Sequence, residues 1–467
     1  MQSTDPHHDP RPDSDARPSA APRGQPASDS SARGASPPAR RFRSLSAPSL
    51  SFQREGDPDV AERLRQALAV PPLPDQLQPD ERRELEAALC THLFHSFAGR
   101  AHPLTIRHLL ADLPAGAIVL DPFVGSGTVL VEAVLRGARA VGCDISELAL
   151  RLSRFKATPL PPSMQKAVHE QAARVGEASL ARVKKRQRPS QTWDKPQFYP
   201  PHVFLELCGL RAEIEALVQR DPPIGEALLL IFSSIVVKAS RQRSETNPAP
   251  FDRHIAAGQA TRWFVAKAEE VARLHAALWQ RVQAVAQSEK GASRDRPLCI
   301  SGDARSVLTD PAALPLWGGS VDCIVTSPPY LGTYDYVDHH ARRYPWLGID
   351  PAPMARAEMA ARRHSGDRSL RELVTAHQQD SDRWLAGAAH LLKPSGVLHV
   401  LVGDSLVQGE VVRGDLPIRR AAESCGLRFV ARVAAERPHF LSATGPALAD
   451  DAAPRLEHLL TFRGAGS

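Results

Sequence analysis

Paired cysteines are missing from this sequence. Its six cysteines, Cys90, Cys143, Cys208, Cys299, Cys323 and Cys425, stand singly, mostly beside apolar residues, with no C-x-x-C among them. That usage excludes a disulfide frame and a cysteine zinc site; it suits reduced core thiols in a cytoplasmic protein. No apolar run reaches the roughly eighteen residues of a membrane span, and the polar N-terminus does not read as a secretory leader. Internal repeats are absent too. His339-His340 has no further ligand at a recognisable spacing, and adjacent residues point different ways on a helix, so no metal site is expected. Apolar residues are almost lacking before Phe42, and residues 1–55 are read as a disordered tail.

What remains is globular in composition, with 42% hydrophobic and 24% charged residues in 467. That length holds two or three average domains, or one large domain with insertions. The formal net charge of +6 leans towards a polyanionic partner.

Residues 57–113 carry apolar positions three and four apart and predict helices. I-V-L at 118–120 then enters a strand ending in D-P-F-V-G-S-G-T, Asp121 to Thr128, followed by helical spacing in V-L-V-E-A-V-L-R. Strand, glycine turn and helix open a nucleotide-binding unit: Gly125 and Gly127 let the backbone approach a ligand, and the helix start leaves amides free for a carboxylate or phosphate. A dinucleotide fingerprint wants glycine at position 130, which is Leu, and this argues against NAD. The next strand ends in Asp144, placed to accept hydrogen bonds from ribose hydroxyls or, alternatively, to cap the following helix. Residues 158–296 interrupt the sheet rhythm with long helical patterns. They also carry the basic clusters 182–188 and 241–243, from which Arg186 and Arg241 are candidate phosphate contacts. The apolar run 227–237 in this span reads as a buried core helix.

Val321 to Val325 predicts a buried parallel strand that must stop at Pro328, where two prolines remove donors and fix φ. Thr326-Ser327-Pro328-Pro329-Tyr330 therefore lies at a strand's carboxyl end, where open α/β sheets bind ligands. Pro329 holds Pro328 extended, so the carbonyls of Ser327 and Pro328 are stiff acceptors, and Tyr330 offers a face for stacking. Acceptors for an NH2 beside a stacking face suggest a nucleobase amine, although the tetrapeptide alone also suits a plain rigid loop. Residues 334–348 mix aromatics, histidines and arginines as a nucleic-acid surface does, with Arg342 and Arg343 as candidate contacts. The arginine-dense residues 351–371 are read as a mobile segment over the cleft. L-R-F-V-A-R-V-A and L-E-H-L-L-T-F-R predict a terminal antiparallel pair at the sheet edge.

D-P-F-V-G-S-G-T followed about two hundred residues later by T-S-P-P-Y resembles the S-adenosylmethionine-dependent DNA methyltransferases that modify exocyclic amines, and the serine form resembles their cytosine-N4 branch. The likeness covers residues 90–157 and 298–463. It implies an α/β fold with a doubly wound, Rossmann-like, mostly parallel sheet, an antiparallel terminal strand and a helical insertion. It divides the chain into the tail 1–55, N-terminal helices and first half-domain 56–157, insertion 158–296, and second half-domain 297–467 with the catalytic loop.

By the same likeness, Asp121, Phe123, Gly125, Ser126, Gly127 and Thr128 line the methionine side of the cofactor. Asp144 holds its ribose, and Asp303 approaches the adenine amine unless it only forms a turn in S-G-D. Phe97, Gly99 and Arg100 fall where the family contacts the methionine carboxylate, in a wording that departs from the usual one. Ser327, Pro328, Pro329 and Tyr330 form the catalytic loop. The expected substrate is DNA with its base flipped out or single-stranded, cytosine N4 first and adenine N6 second; a restriction enzyme is a possible companion. The alternatives are an RNA base methyltransferase and a non-catalytic DNA-binding module. No Pro-Cys nucleophile occurs, and Cys323 lies inside its strand as a core residue.

Overall fold

In the computed structural model, residues 51–70, 78–185, 187, 191–244, 247–366, 368–436 and 455–464 are described. Twelve strands occur among them: β1 (Phe52–Gly56), β2 (Ile118–Asp121), β3 (Arg139–Asp144), β4 (Gln242–Ser244), β5 (Asn247–Pro250), β6 (Leu298–Ser301), β7 (Val321–Thr326), β8 (Leu392–Gly403), β9 (Ser405–Val407), β10 (Glu410–Val412), β11 (Arg428–Glu436) and β12 (Leu456–Arg463). Eight of them form one sheet in the order β1-β11-β12-β8-β7-β2-β3-β6. The run from β8 to β6 is parallel, while β12 is antiparallel to both β8 and β11.

The apolar character of the central strands follows from burial on both faces. Val119, Cys323, Val325 and Leu401 join one core, and Leu120, Ile324, Leu398 and Val400 join another. Parallel strands flanked by crossover helices take this pattern because neither face meets water. From β2 the order proceeds through β3 to β6 on one side and through β7 to β8 on the other. The reversal between β2 and β7 opens a crevice at the strands' carboxyl ends.

The span between β3 and β6 folds as four long helices, Pro162–Lys184, Pro201–Arg220, Pro222–Ala239 and Gln259–Ser288. The first three begin with proline, whose missing N–H costs nothing in a first turn. Phe204, Phe232 and Phe264 of these helices share one core with Phe94, Leu148, Leu152 and Trp346, so the insertion is continuous with the rest of the protein. Helix Pro222–Ala239 is long and apolar enough to cross a membrane by composition, yet most of it is buried among its neighbours, as a core helix is.

Two expectations change. Phe52–Gly56 is a strand paired antiparallel with β11, so the segment assigned to the tail ends inside the sheet. Its residues from Gln53 onward are exposed, and it joins through backbone hydrogen bonds without an apolar pattern to announce it. As a result the β11–β12 pair, although antiparallel, is not the edge: β1 is, and β12 lies between β8 and β11.

Candidate active site

The glycine turn follows directly from β2. Gly125 and Gly127 have φ of +48° and +83°, in the left-handed region that favours glycine. A Cβ on Gly127 would stand 2.7 Å from the Ser153 Cα, so packing also requires its absence. The turn delivers the chain into helix Thr128–Leu135, all eight of whose residues are buried.

Asp144, at the end of β3, braces this turn. Its Oδ2 accepts from the Gly125 N–H at 2.9 Å and its Oδ1 from the Ser146 N–H at 2.8 Å. Helix capping falls instead to Ser146, whose Oγ accepts from the Ala149 N–H. Burial pushes the Asp144 carboxyl up to about 6, against the backbone donors that hold it down.

Asp121 is more deeply enclosed, and burial pushes it to about 7. Its Oδ1 accepts from the Phe123 N–H at 3.1 Å and from the Thr326 hydroxyl at 2.7 Å. The second bond ties the glycine turn to the proline loop. Around this junction lies a cavity of about 970 Å3, counting the space at its open mouth. Of the residues expected to hold a cofactor, all but Gly127 line it, as do Phe97, Gly99 and Arg100. Ser327 and Pro329 line it as well; Pro328 and Tyr330 do not.

Tyr330 departs from expectation. It is buried in the core cluster of Ile324 and Met359, and its hydroxyl meets the Ser327 Oγ at 3.2 Å. It holds the loop from beneath and presents no face to the cavity. The rings that reach the cavity are Phe123, Phe97 and Tyr336, the last two stacked with centroids 6.1 Å apart. Glu358 also lines it, accepting from the Tyr336 N–H at 2.7 Å and pairing with Arg363; burial pushes its carboxyl up. The aromatic run Y-D-Y-V signals Tyr336 in the sequence, whereas nothing distinguishes Glu358.

Asp303 lines the cavity but is already engaged. It accepts from the Arg305 N–H as the cap of helix Ala304–Val307, and both its oxygens bond the Arg305 guanidinium. Burial raises its carboxyl, and the Arg305 bonds more than reverse this, leaving it below the usual range.

The expected nucleic-acid arginines divide. Arg343 is fully buried, donating to the Ser233 carbonyl and approaching His340 Nδ1 at 3.1 Å. Arg342 pairs with Asp194 and lies 3.5 Å from the centre of the Phe198 ring. Both fasten the post-loop segment to the helical insertion and are not surface contacts. Arg241 is exposed, and Arg186 lies outside the described residues.

The arginine-dense segment is folded, with helix Ala352–Ala357 and ion pairs from Arg362 to Asp335 and Arg363 to Glu358. Met354, Glu358 and Met359 make it a wall of the cavity. Behind that wall a second hollow of about 600 Å3 is lined by Arg305, Arg356, Arg368 and His377.

Among the described residues, Asp404, Asp415 and His458 bring metal-competent atoms together. These atoms already bond one another, Arg432, Arg413 and the Gly414 and Leu456 amides, which compensates their charge within the fold.

Comparison with known proteins locates the similarity. The chain is 34% identical over 77 residues to the type II methyltransferase M.MvaI of Kocuria varians, covering 16% of this chain and 17% of that protein. It is 58% identical over 36 residues to the tRNA (guanine(10)-N2)-dimethyltransferase of Methanocaldococcus jannaschii, 8% and 10% of the two chains. The chain thus spans under a fifth of the length of these curated relatives. The crystal structure of TrmN from Thermus thermophilus superposes over 83% of this chain and 54% of its own with 15% identity and a TM-score of 0.31, too low to assign a shared fold. Residues 100–155, the span holding β2, the glycine turn, β3 and Asp144, match the DNA methylase family model, so the wall of the cavity that contains the glycine turn is the part of the chain similar to that family.

Proposed function

We propose that the protein transfers a methyl group from S-adenosylmethionine to an exocyclic amine of a DNA base, cytosine N4 first and adenine N6 second. The observation that carries this reading is the Thr326–Asp121 hydrogen bond, which puts the proline loop and the glycine turn on one cavity. The residues present suit the cofactor: an open glycine turn, two acids at strand ends, and an Asp121 Oδ2 with no hydrogen-bond partner among the described residues. Asp121, Phe123, Gly125, Ser126 and Thr128 would hold the methionine end, Asp144 the ribose hydroxyls and Gly302 with Asp303 the adenine side. When bound, the cofactor supplies an electrophilic methyl on a sulfonium.

Base amines are weak nucleophiles because the nitrogen lone pair is delocalised into the ring. Ser327, by hydroxyl and carbonyl, would accept the amine hydrogens and localise that pair towards the methyl, an effect of positioning and fixed dipoles, while Pro328, outside the cavity lining, keeps the loop stiff. Tyr330 holds Ser327 in place through its hydroxyl, and Tyr336 with Phe97 supplies the stacking surface. A duplex base reaches such a cavity only when flipped out or already single-stranded. Arg356 and Arg368, in the hollow across the Ala357–Glu358 wall, contact the strand's phosphates, and exposed Arg241 adds to the basic surface. Incubation with labelled S-adenosylmethionine and DNA, followed by identification of the modified nucleoside, tests this directly.

The likeness of a short segment to a tRNA dimethyltransferase favours RNA as the second reading. Label appearing in tRNA or rRNA and not in DNA would select it. Retention of DNA with no transfer at all would leave only a binding module.

A further inference from the structure

Behind the glycine turn lies a charge that the proposed chemistry does not use. Lys156, near the end of helix Glu147–Ala157, has no exposed surface. Its Nζ donates to the Ser126 carbonyl at 2.7 Å and lies 3.4 Å from the Ser126 Oγ. No carboxylate among the described residues pairs with it; the nearby Glu132 is bonded to His92 and Arg107. Around it stand Arg100 on the cavity wall and the buried neutral-leaning His92 and His95. Burial, with the Arg100 charge, holds its ammonium well below the usual lysine range.

A lysine needed only to pin a carbonyl would be a costly choice, because an unpaired buried ammonium is among the least favourable side chains in a core. The turn it holds has two sides. Ser126 lines the cavity, and the amides of helix Thr128–Leu135 begin beside it, a place that favours an anionic group. We propose that Lys156 is a positioning residue for the cofactor: it clamps the glycine turn from behind and becomes the counter-charge for the carboxylate at the methionine end of a ligand docked against Ser126. This rests on the proposed use of S-adenosylmethionine. A carboxylate arriving one residue away favours the charged form of Nζ and so offsets the burial that disfavours it.

The test is calorimetric titration with S-adenosylhomocysteine and with 5′-methylthioadenosine, which lacks the amino-acid end. Wild type is compared with Lys156→Met and with Lys156→Gln, which keeps an N–H donor but no charge. The expected result is about tenfold or weaker binding of S-adenosylhomocysteine by both variants, and near-unchanged binding of methylthioadenosine. Equal losses for the two ligands, or wild-type affinity in Lys156→Gln, would reduce Lys156 to a structural clamp and overturn the inference. Failure of wild type to bind either ligand would instead remove the proposed function, and the inference with it.

Discussion

The Thr326 hydroxyl donates to Asp121 Oδ1 at 2.7 Å, joining the ends of two adjacent parallel strands whose residues are 205 positions apart in the chain. Replacing Thr326 by Val keeps the shape and removes the donor. We expect a loss of about 1–2 kcal/mol in unfolding free energy, the size of a buried acceptor left short of a partner. Urea melts of the variant check it, and a loss near zero would show that the two motifs are held together by packing alone.

Asp121 also sets a pH dependence. Its carboxyl lies at about 7 in the fold, against about 3.9 in an unfolded chain. Between these values the folded state keeps a proton that the unfolded state has lost, so this contribution is fully present below about 3.9 and is lost as pH rises through about 7. Across that window the contributions of Asp121, Asp144 and Glu358 fall with rising pH while those of His92, His275, His377 and His399, held below the usual imidazole range by burial, rise, so the check is the difference: the stability of wild type relative to Asp121→Asn should decline as pH rises.

Ser327→Ala removes a cavity-facing acceptor without touching the glycine turn. Methyl transfer should drop by about a hundredfold or more, while binding of S-adenosylhomocysteine and retention of DNA stay near wild type. Single-turnover rates beside binding isotherms separate these outcomes, and a variant with full activity would leave the amine to the backbone carbonyl.

The arginines give opposite expectations. Arg343→Met should destabilise the fold by about 1–3 kcal/mol, since buried acceptors at Ser233 and His340 lose their donor. Arg356→Ala and Arg241→Ala should leave the melting temperature unchanged and weaken DNA binding, each reducing the slope of log affinity against log salt by about one. Melting curves and salt titrations on the same preparations check both.

Legibility in the sequence followed burial and turn chemistry. The glycine turn, the acids at the ends of β2 and β3, and the β7 strand halted by Pro328 are all local signals, and the cavity brings them together. Strand β1 was hidden because a charged five-residue edge strand has no apolar alternation and is selected by pairing with β11. The depth of Tyr330 and Arg343 was hidden for another reason: an aromatic or an arginine beside a loop suits a surface as well as a core, and only what packs over each decides, the core of Ile324 and Met359 for Tyr330 and the insertion for Arg343. Lys156 reads as one more basic residue near a helix end until its lack of exposure is known.

Trp346 sits under twenty residues beyond the proline loop, yet its indole is enclosed by Trp193, Tyr199, Phe204 and Phe232 of the insertion, with its N–H bonded to the Tyr199 hydroxyl at 2.8 Å. The Arg211 guanidinium reaches back to the Trp346 carbonyl at 2.8 Å. Excising residues 158–296 to leave a smaller protein would therefore strand a large indole and the Arg343 side chain in water. Engineers seeking a minimal version of this protein should expect the trimmed chain to aggregate, because the four helices are part of the folding unit and not an accessory to it.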